Sequence, residues 1–298
     1  MVSSTKPPSA KKAKASGVSS LPDRTAMESY VAKVAIGRRA DAIESAQNVI
    51  YDAWDCKTSR SRVSLARKAL AISPLCADAY NLLAAEAATA AEARDLYARG
   101  LDAGELALGA EGFSEYDGHF WGFLETRPYM RARHGLALAL LALGEDEAAI
   151  EHFRAMLKLN PGDNQGIRYL LLAGLLRRDD IGAAKAVLAV YADEWSAFWL
   201  YTRALVAYRE GKGSTPATVK LLKDAQSANE YVPAILADAA PPRLSGSDYV
   251  TFGGADEAAE YVRECGGAWR NTPGAVEWLT AAIADIGKPK RRASKTVH

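Results

Sequence analysis

The chain has 298 residues, of which 49% are hydrophobic and 24% charged, and it is long enough to bury a sizeable core. No apolar stretch reaches the roughly 20 residues that a bilayer-spanning helix needs, and the lysines near the N-terminus lack the apolar core of a secretory signal. The three cysteines, Cys56, Cys76 and Cys265, form no CxxC pair, so we expect no disulfide framework and a reducing, cytoplasmic location.

The net charge of +1 conceals an uneven distribution of charge along the chain. Residues 1–22 and 286–298 contain nine basic residues and no acid; without them, 28 basic and 36 acidic residues leave a body of net charge −8. Both ends are poor in apolar residues, so we predict disordered basic tails over 1–24 and 287–298. These tails either attract nucleic acid or an acidic surface, or only keep the chain soluble.

The first predicted element is a leading helix over 25–42, because Thr25 and Glu28 have the spacing of a capping box. A repeat of 34 residues follows. In its best copy, 130–163, Ala149 and Phe153 stand four residues apart, Gly144 lies at the turn between two helices, and Pro161 ends the second helix. Copies start at 43, 77, 130, 164 and about 197, with spacings of 34, 53, 34 and 33 residues.

This small-x3-aromatic pattern with a terminal proline resembles the tetratricopeptide repeat (TPR) family. The resemblance implies an all-α fold, a right-handed α-solenoid of about five helix pairs over 43–231 with a concave inner face. More narrowly, residues 118–133 (GHFWGFLETRPYMRAR) and 159–166 (LNPGDNQG) resemble a group of bacterial TPR proteins of unassigned function. That group is in turn loosely similar to the eukaryotic suppressor-of-tumorigenicity TPR proteins. The resemblance implies an interaction role and transfers no catalytic residue.

Beyond the repeats, residues 232–286 are predicted to form a C-terminal helical cap with helices at about 255–264 and 273–286. A cap is needed because the last repeat of a solenoid otherwise exposes its apolar face. Trp269 and Trp278 are expected to pack there. An independent small domain is the alternative.

The 53-residue spacing contains an insertion at about 107–129, which is the most aromatic part of the repeat region. Insertions in solenoids often map to a binding face, and aromatic residues supply much of the energy of protein interfaces. Trp121 and Tyr129 are therefore candidate binding residues. In the alternative, the aromatic side chains fold back and plug the superhelix where stacking is disturbed.

The first helix of each TPR pair lines the inner face, which places Asp78 with Asn81, Arg131 with His134, and Gln165 with Arg168 toward the concavity. Arg127 immediately precedes the third copy. A basic spot made of Arg131, His134 and Arg168 predicts an acidic peptide or a free C-terminus as ligand. Alternatively, these arginines pair with neighbouring acids such as Glu125 or Asp163. Ala85 and Gly135 stand where chaperone-binding TPR domains need polar groups, so chaperone binding is not favoured.

The sequence contains none of the motifs GxxxxGK[ST], HExxH, GxSxG or GxGxxG. His119 and His134 with Glu125 fit no metal-ligand spacing, and Cys56 and Cys76 are expected to be inert packed thiols, so we predict no metal site and no cofactor. The predicted function is a non-catalytic scaffold that holds a protein or peptide partner. The alternatives are a nucleic-acid-associated protein that uses its tails, and an enzyme whose site joins His119, Glu125 and Arg131 under the insertion.

Overall fold

The computed structural model of the chain describes residues 21–238 and 250–286, and the regular secondary structure in these two ranges is entirely helical. The predicted all-α class is confirmed. The basic tails up to residue 20 and from 287 onward lie outside the described residues, as does 239–249. The chain divides into two compact units between Glu145 and Asp146.

Six α-helices are described in unit 1. They are α1 (Arg24–Lys33), α2 (Ile36–Trp54), α3 (Ser59–Ile72), α4 (Ala77–Ala85), α5 (Ala90–Glu115) and α6 (Arg127–Ala142), with a 3-10 turn at Phe120–Gly122 before α6. Consecutive helices α2 and α3, α4 and α5, and α5 and α6 pack against each other, and α4 also contacts α6. Much of the buried core is small, with alanines at 46, 53, 66, 69 and 79 fully inaccessible to solvent.

The N-terminus of α1 differs from the sequence-based expectation. Asp23, not Thr25, caps the helix, and its side chain accepts a hydrogen bond from the backbone N–H of Ala26 at 2.9 Å. The predicted leading helix over 25–42 is also interrupted, because α1 ends at Lys33 and α2 begins at Ile36. An extended backbone at Val34 separates the two.

Two glycines of unit 1 mark where helices approach most closely. A methyl group on Gly135 in α6 would come within 2.2 Å of the ring of Tyr97 in α5, and one on Gly104 would lie 3.1 Å from the backbone of Tyr129. Any side chain at either position would force the helices apart. The ring of Tyr97 therefore packs directly against α6.

Unit 2 contains the remaining eight described α-helices. They are α7 (Asp146–Leu159), α8 (Ile167–Arg177), α9 (Ile181–Val190), α10 (Ala197–Ala207), α11 (Pro216–Ala228), α12 (Val232–Ala237), α13 (Ala255–Arg270) and α14 (Ala275–Ile286). Thr215 caps α11 in a capping box with Thr218, and Pro216 is the first residue of the helix. Ala149 and Phe153 of α7 are both fully buried.

The C-terminal helix α13 packs against α8 and α10, while α14 packs against α11. Tyr261 of α13 lies edge-on to Phe198 of α10 with ring centroids 5.3 Å apart. Trp269 and Trp278 stack with centroids 6.4 Å apart, so their predicted packing is confirmed. Consequently α8 and α10, which the repeat predicts to line an inner face, are covered in this unit by α13.

Helix boundaries agree with two of the five predicted repeat starts, those at 77 (α4) and about 197 (α10). The starts at 130 and 164 lie three residues from the first residues of α6 and α8, and the start at 43 is wrong because it falls inside α2. α4 begins at Ala77, the expected start of the second copy, and Gly144 has a positive φ of 78° in the turn before α7. The insertion is partly helical, since α5 continues to Glu115 through a kink at Gly109, where φ is 62°. The arrangement of helix pairs into a TPR-type superhelix stays a prediction.

Candidate functional site

A buried carboxylate organises the polar centre of unit 1. Asp78 on α4 is completely inaccessible to solvent, and the guanidinium of Arg131 on α6 contacts both of its oxygens, with Nε 2.9 Å from Oδ1 and Nη2 close to Oδ2. Gln47 on α2 donates to Oδ2 at 3.0 Å, and Asn81 donates to Oδ1 at 3.0 Å. The carboxylate thus links three helices that are distant in sequence.

Arg131 keeps donors that Asp78 does not use. Its bonds to Asp78 engage Nε and Nη2, so Nη1 is free of hydrogen bonds to the described residues, and its side chain is 35% exposed. The guanidinium lies over the ring of Trp54 at 5.6 Å, and Tyr51 packs on the same ring with centroids 5.5 Å apart. Both aromatic side chains are about half exposed. Arg131 is therefore fixed on one side and open on the other.

Arg127 lies one helical turn before Arg131 on α6. Its Nε donates to the backbone oxygen of Trp121 at 3.1 Å, and its guanidinium sits over the Trp121 ring at 5.4 Å. Residues four apart share a helix face, so Arg127 and Arg131 point to the same side of α6. Arg127 forms no ion pair within the described ranges. Arg131 does pair with an acid, as the alternative expected, but that acid is Asp78 and not Glu125.

The insertion combines a packed interior with an exposed tip. Phe113, Phe120 and Tyr129 form a cluster with ring centroids 5.1–5.9 Å apart, and Tyr129 is nearly inaccessible to solvent. This part of the insertion has the structure expected of a plug. Phe123 and Leu124, by contrast, are 43% and 66% exposed. Tyr129, a predicted binding residue, is thus in the packed part, whereas Trp121 borders the exposed tip.

His134 and Asn81 are the remaining candidates in unit 1, and both are largely enclosed. Burial lowers the pKa of His134, so the ring is neutral at pH 7, and its Nε2 has no hydrogen-bond partner among the described residues. The amide of Asn81 donates to Asp78 and to the backbone oxygen of Pro128 at 3.0 Å. Asn81 therefore joins α4 to the start of α6, and its Oδ1 has no hydrogen-bond partner among the described residues.

In unit 2, Arg168 is saturated with partners from its own unit. Its five N–H groups donate to Glu194 from Nε and Nη2 at 3.1 and 2.7 Å, to the side chain and backbone oxygens of Asp163 from Nη1, and to the Tyr169 hydroxyl from Nη2. The guanidinium also lies 4.4 Å from the centroid of the Tyr169 ring. The predicted alternative, pairing with Asp163, is present. Arg168 has no donor left for a ligand.

The two carboxylates bound to Arg168 have opposite pKa shifts. Burial raises the pKa of Asp163, although the N–H groups of Arg168 and Ile167 partly offset it. Burial also acts to raise the pKa of Glu194, but hydrogen bonds from Arg168, Ser196 and Tyr169 outweigh it and hold that pKa below its ordinary value. Asp163 additionally caps α8 through the N–H of Ile167 at 2.7 Å. Gln165, in the turn between Asp163 and α8, is half-buried, and its Oε1 has no partner in the described part of the chain.

Three important residues carried no signal in the sequence. Trp54 lies 77 residues before Arg131, and only tertiary packing brings the two together. Glu257 is a buried carboxylate that accepts from the N–H groups of Ala197 and Gly253 at 2.9 and 2.8 Å. Arg209 caps α8 and α13 by donating to the carbonyls of Leu176 and Ala268 at 3.0 and 2.7 Å. The last two hold unit 2 together.

The constellation considered for catalysis is not assembled. His119 and Glu125 are exposed, and neither shares a hydrogen bond with the other or with Arg131, which is held by Asp78. Across the described residues, no group of three or more His, Cys, Asp or Glu side chains is close enough to hold a metal ion. None of the helices over 21–238 and 250–286 has the length and hydropathy required to cross a bilayer.

Comparison with known proteins identifies relatives of this chain. The family profile described as ST7 protein matches residues 36–227, which include α2 to α10, most of α11 and every candidate site residue. Protein ST7 homolog from Drosophila pseudoobscura pseudoobscura is 27% identical over 264 residues, covering 80% of this chain and 48% of that protein. The chain therefore spans about half the length of the curated relative that it matches.

Proposed function

The chain belongs to the ST7 protein family, and we propose that it is a non-catalytic scaffold that binds a protein or peptide partner on unit 1. The binding surface is formed by Tyr51 and Trp54 at the end of α2 and by Arg127 and Arg131 on α6; we call it the α2–α6 surface. In this proposal the helix pairs stack as a TPR-like solenoid, and the α2–α6 surface belongs to its concave face.

The single observation that carries the proposal is the state of Arg131. Asp78 fixes its position and orientation, yet the side chain is 35% exposed, retains Nη1 as a donor and stacks on Trp54. Arginine and tryptophan are the residue types most often found as interface hot spots. A side chain that is already held in place loses little conformational entropy when it binds, which strengthens the interaction with a partner.

Unit 2 contributes differently in this proposal. The N–H groups of Arg168 donate to Asp163, Glu194 and Tyr169, and α13 packs against α8 and α10. We therefore assign Gln165 and Arg168 a structural role and place partner binding on unit 1 alone. A cytoplasmic location is part of the same proposal, because Cys56 is a free and partly exposed thiol of the kind that persists in reducing compartments.

Site-specific photo-cross-linking tests the proposal. A photoreactive phenylalanine analogue replaces Tyr51, and the same analogue at Val190, which is 75% exposed in unit 2, serves as the control. In cells we expect a discrete cross-linked product from position 51 and none from position 190. In folded variants, Trp54→Ala should reduce the amount of this product, whereas Arg131→Lys should retain it. Equal products from both positions, or a position-51 product that Trp54→Ala leaves unchanged, would refute the α2–α6 surface.

A further inference from the structure

We propose that the loop-to-helix junction formed by Phe123, Leu124 and Arg127 docks an acidic segment of the partner that also carries large apolar side chains. This inference rests on the scaffold function proposed above and adds the chemistry of the ligand. Phe123 and Leu124 lie four and three residues before Arg127, the first residue of α6, with the exposed Glu125 and the N-cap Thr126 between them. The backbone N–H of Arg127 donates to the carbonyl of Leu124 at 3.3 Å.

Arg127 places an unneutralised positive charge at this junction. It is the first residue of α6, and no acid occupies the first turn of that helix. The positive end of a helix dipole disfavours a cation there. Asp78 neutralises Arg131, whereas Arg127 makes no ion pair with any described residue. A ligand carboxylate would therefore relieve an unfavourable arrangement.

The apolar side chains of the junction are also exposed to solvent. Leu124 is 66% exposed and Phe123 43% exposed. Thr126 stabilises the conformation of the turn that carries these two side chains, because its hydroxyl donates to the backbone oxygens of Phe120 and Phe123, the latter at 2.9 Å. The Phe123 ring rests on Tyr116 with centroids 4.6 Å apart. Two apolar side chains are thus presented on a supported turn beside a cation.

These features together select the ligand chemistry. The guanidinium of Arg127 can donate hydrogen bonds to a carboxylate of the ligand. Aliphatic side chains of the ligand would bury the exposed apolar surface of Leu124 and Phe123, which is favourable. A nucleic-acid strand would also meet the cation, but the body of the chain between 22 and 286 has a net charge of −8, from 28 basic and 36 acidic residues, and repels polyanions at longer range. A short segment alternating acidic and apolar residues satisfies both parts of the junction with fewer charges.

Fluorescence anisotropy with a labelled synthetic peptide of alternating glutamate and leucine tests the proposal. We expect the full chain to bind this probe, and Arg127→Gln and Leu124→Ser each to weaken binding by about tenfold, as expected when a hot-spot contact is removed. Arg127→Lys should retain part of the affinity. The matched control is Arg154→Gln, since Arg154 is an exposed arginine of unit 2 whose one ion-pair partner among the described residues is Glu151.

Three further probes separate the explanations. A glutamate–serine peptide should bind more weakly and lose its sensitivity to Leu124→Ser, and a lysine–leucine peptide should not bind. Added salt should weaken the wild-type complex more than the Arg127→Gln complex. Binding that Arg127→Gln and Leu124→Ser leave unchanged, or tighter binding of a thymidine oligonucleotide, would overturn the inference. If the peptide assay fails but the cross-link at position 51 still depends on Trp54, the scaffold function stands without this docking site. If the peptide assay and the cross-linking experiment both fail, the docking site and the scaffold function are both wrong.

Discussion

Both carboxylate oxygens of the buried Asp78 accept hydrogen bonds from the guanidinium of Arg131, which lies 53 residues later in the chain. Because Asp78 is inaccessible to solvent and Arg131 is 35% exposed, the pair joins the interior of unit 1 to its surface. A buried charge is tolerated only when it is paired and hydrogen-bonded. The arginine on the proposed binding surface is therefore also part of what stabilises the fold.

A double-mutant cycle on this pair should reveal strong coupling. Arg131→Met leaves the Asp78 carboxylate buried without its counter-ion, and we expect it to lower the free energy of unfolding by about 3 kcal/mol. The double variant with Asp78→Leu should lose less than the sum of the two single variants, with a coupling of about 2 kcal/mol measured by urea unfolding.

The exposed pair of Arg154 and Glu151 is the control for that cycle. Their side chains are 46% and 65% exposed, and we expect a coupling of roughly 0.3 kcal/mol, as is usual for surface pairs one helical turn apart. Equal couplings for the buried and the exposed pair would contradict the organising role of Asp78.

Replacement of Gly135 by alanine should destabilise the chain, because the new methyl group would lie 2.2 Å from the Tyr97 ring. Overpacking of this kind costs about 1–3 kcal/mol. The control is Gly267→Ala within α13, where a methyl group would have no neighbour within 4 Å. There the higher helix propensity of alanine should stabilise the chain by up to about 1 kcal/mol. Thermal unfolding distinguishes the two, and a neutral Gly135→Ala would show that α5 and α6 can separate freely.

The three cysteines should differ in their reaction with a thiol reagent. Burial raises the pKa of Cys76 and of Cys265 to about 12 each, so neither forms the reactive thiolate at pH 8. Cys56 is partly exposed and donates its thiol hydrogen to the carbonyl of Asp52. We expect one rapidly reacting thiol in the native chain and three in denaturant. Loss of the rapid phase in Cys56→Ser would assign it, and a rapid phase from Cys265 would disprove the packing of α13.

Glu194 should contribute stability that depends on pH. Its pKa is held below the ordinary value of 4.5 because the hydrogen bonds to its ionised form outweigh its burial. A lowered carboxyl pKa stabilises the fold above the unfolded-state value, and the stabilisation is lost as pH falls through the lower, folded-state value. The stability difference between wild type and Glu194→Gln should therefore be largest near pH 7 and diminish as pH falls through the lowered pKa of Glu194. A difference that stayed constant across this range would show that Glu194 is not preferentially ionised in the fold.

Local patterns in the sequence determined the helical class and many of the helix ends. Thr215 and Pro216 start α11, Gly144 turns the chain before α7, and Ala149 and Phe153 are buried on one face of that helix. Each of these depends on residues within a few positions of each other, through capping, backbone conformation and the helical period. The family was likewise indicated by short blocks at 118–133 and 159–166, which lie inside the matched range 36–227.

Only the tertiary structure decided which of the predicted arginines can still bind anything. Arg131 and Arg168 stand at different positions of their repeats, the second of the copy from 130 and the fifth of the copy from 164, and both are predicted to face the concavity. Packing gave Arg168 acceptors for every donor from Asp163, Glu194 and Tyr169, whereas Arg131 kept Nη1 beside Trp54. Asp78 lies 53 residues from Arg131 and Glu194 lies 26 residues from Arg168, and each is brought to its arginine by packing that no local pattern encodes.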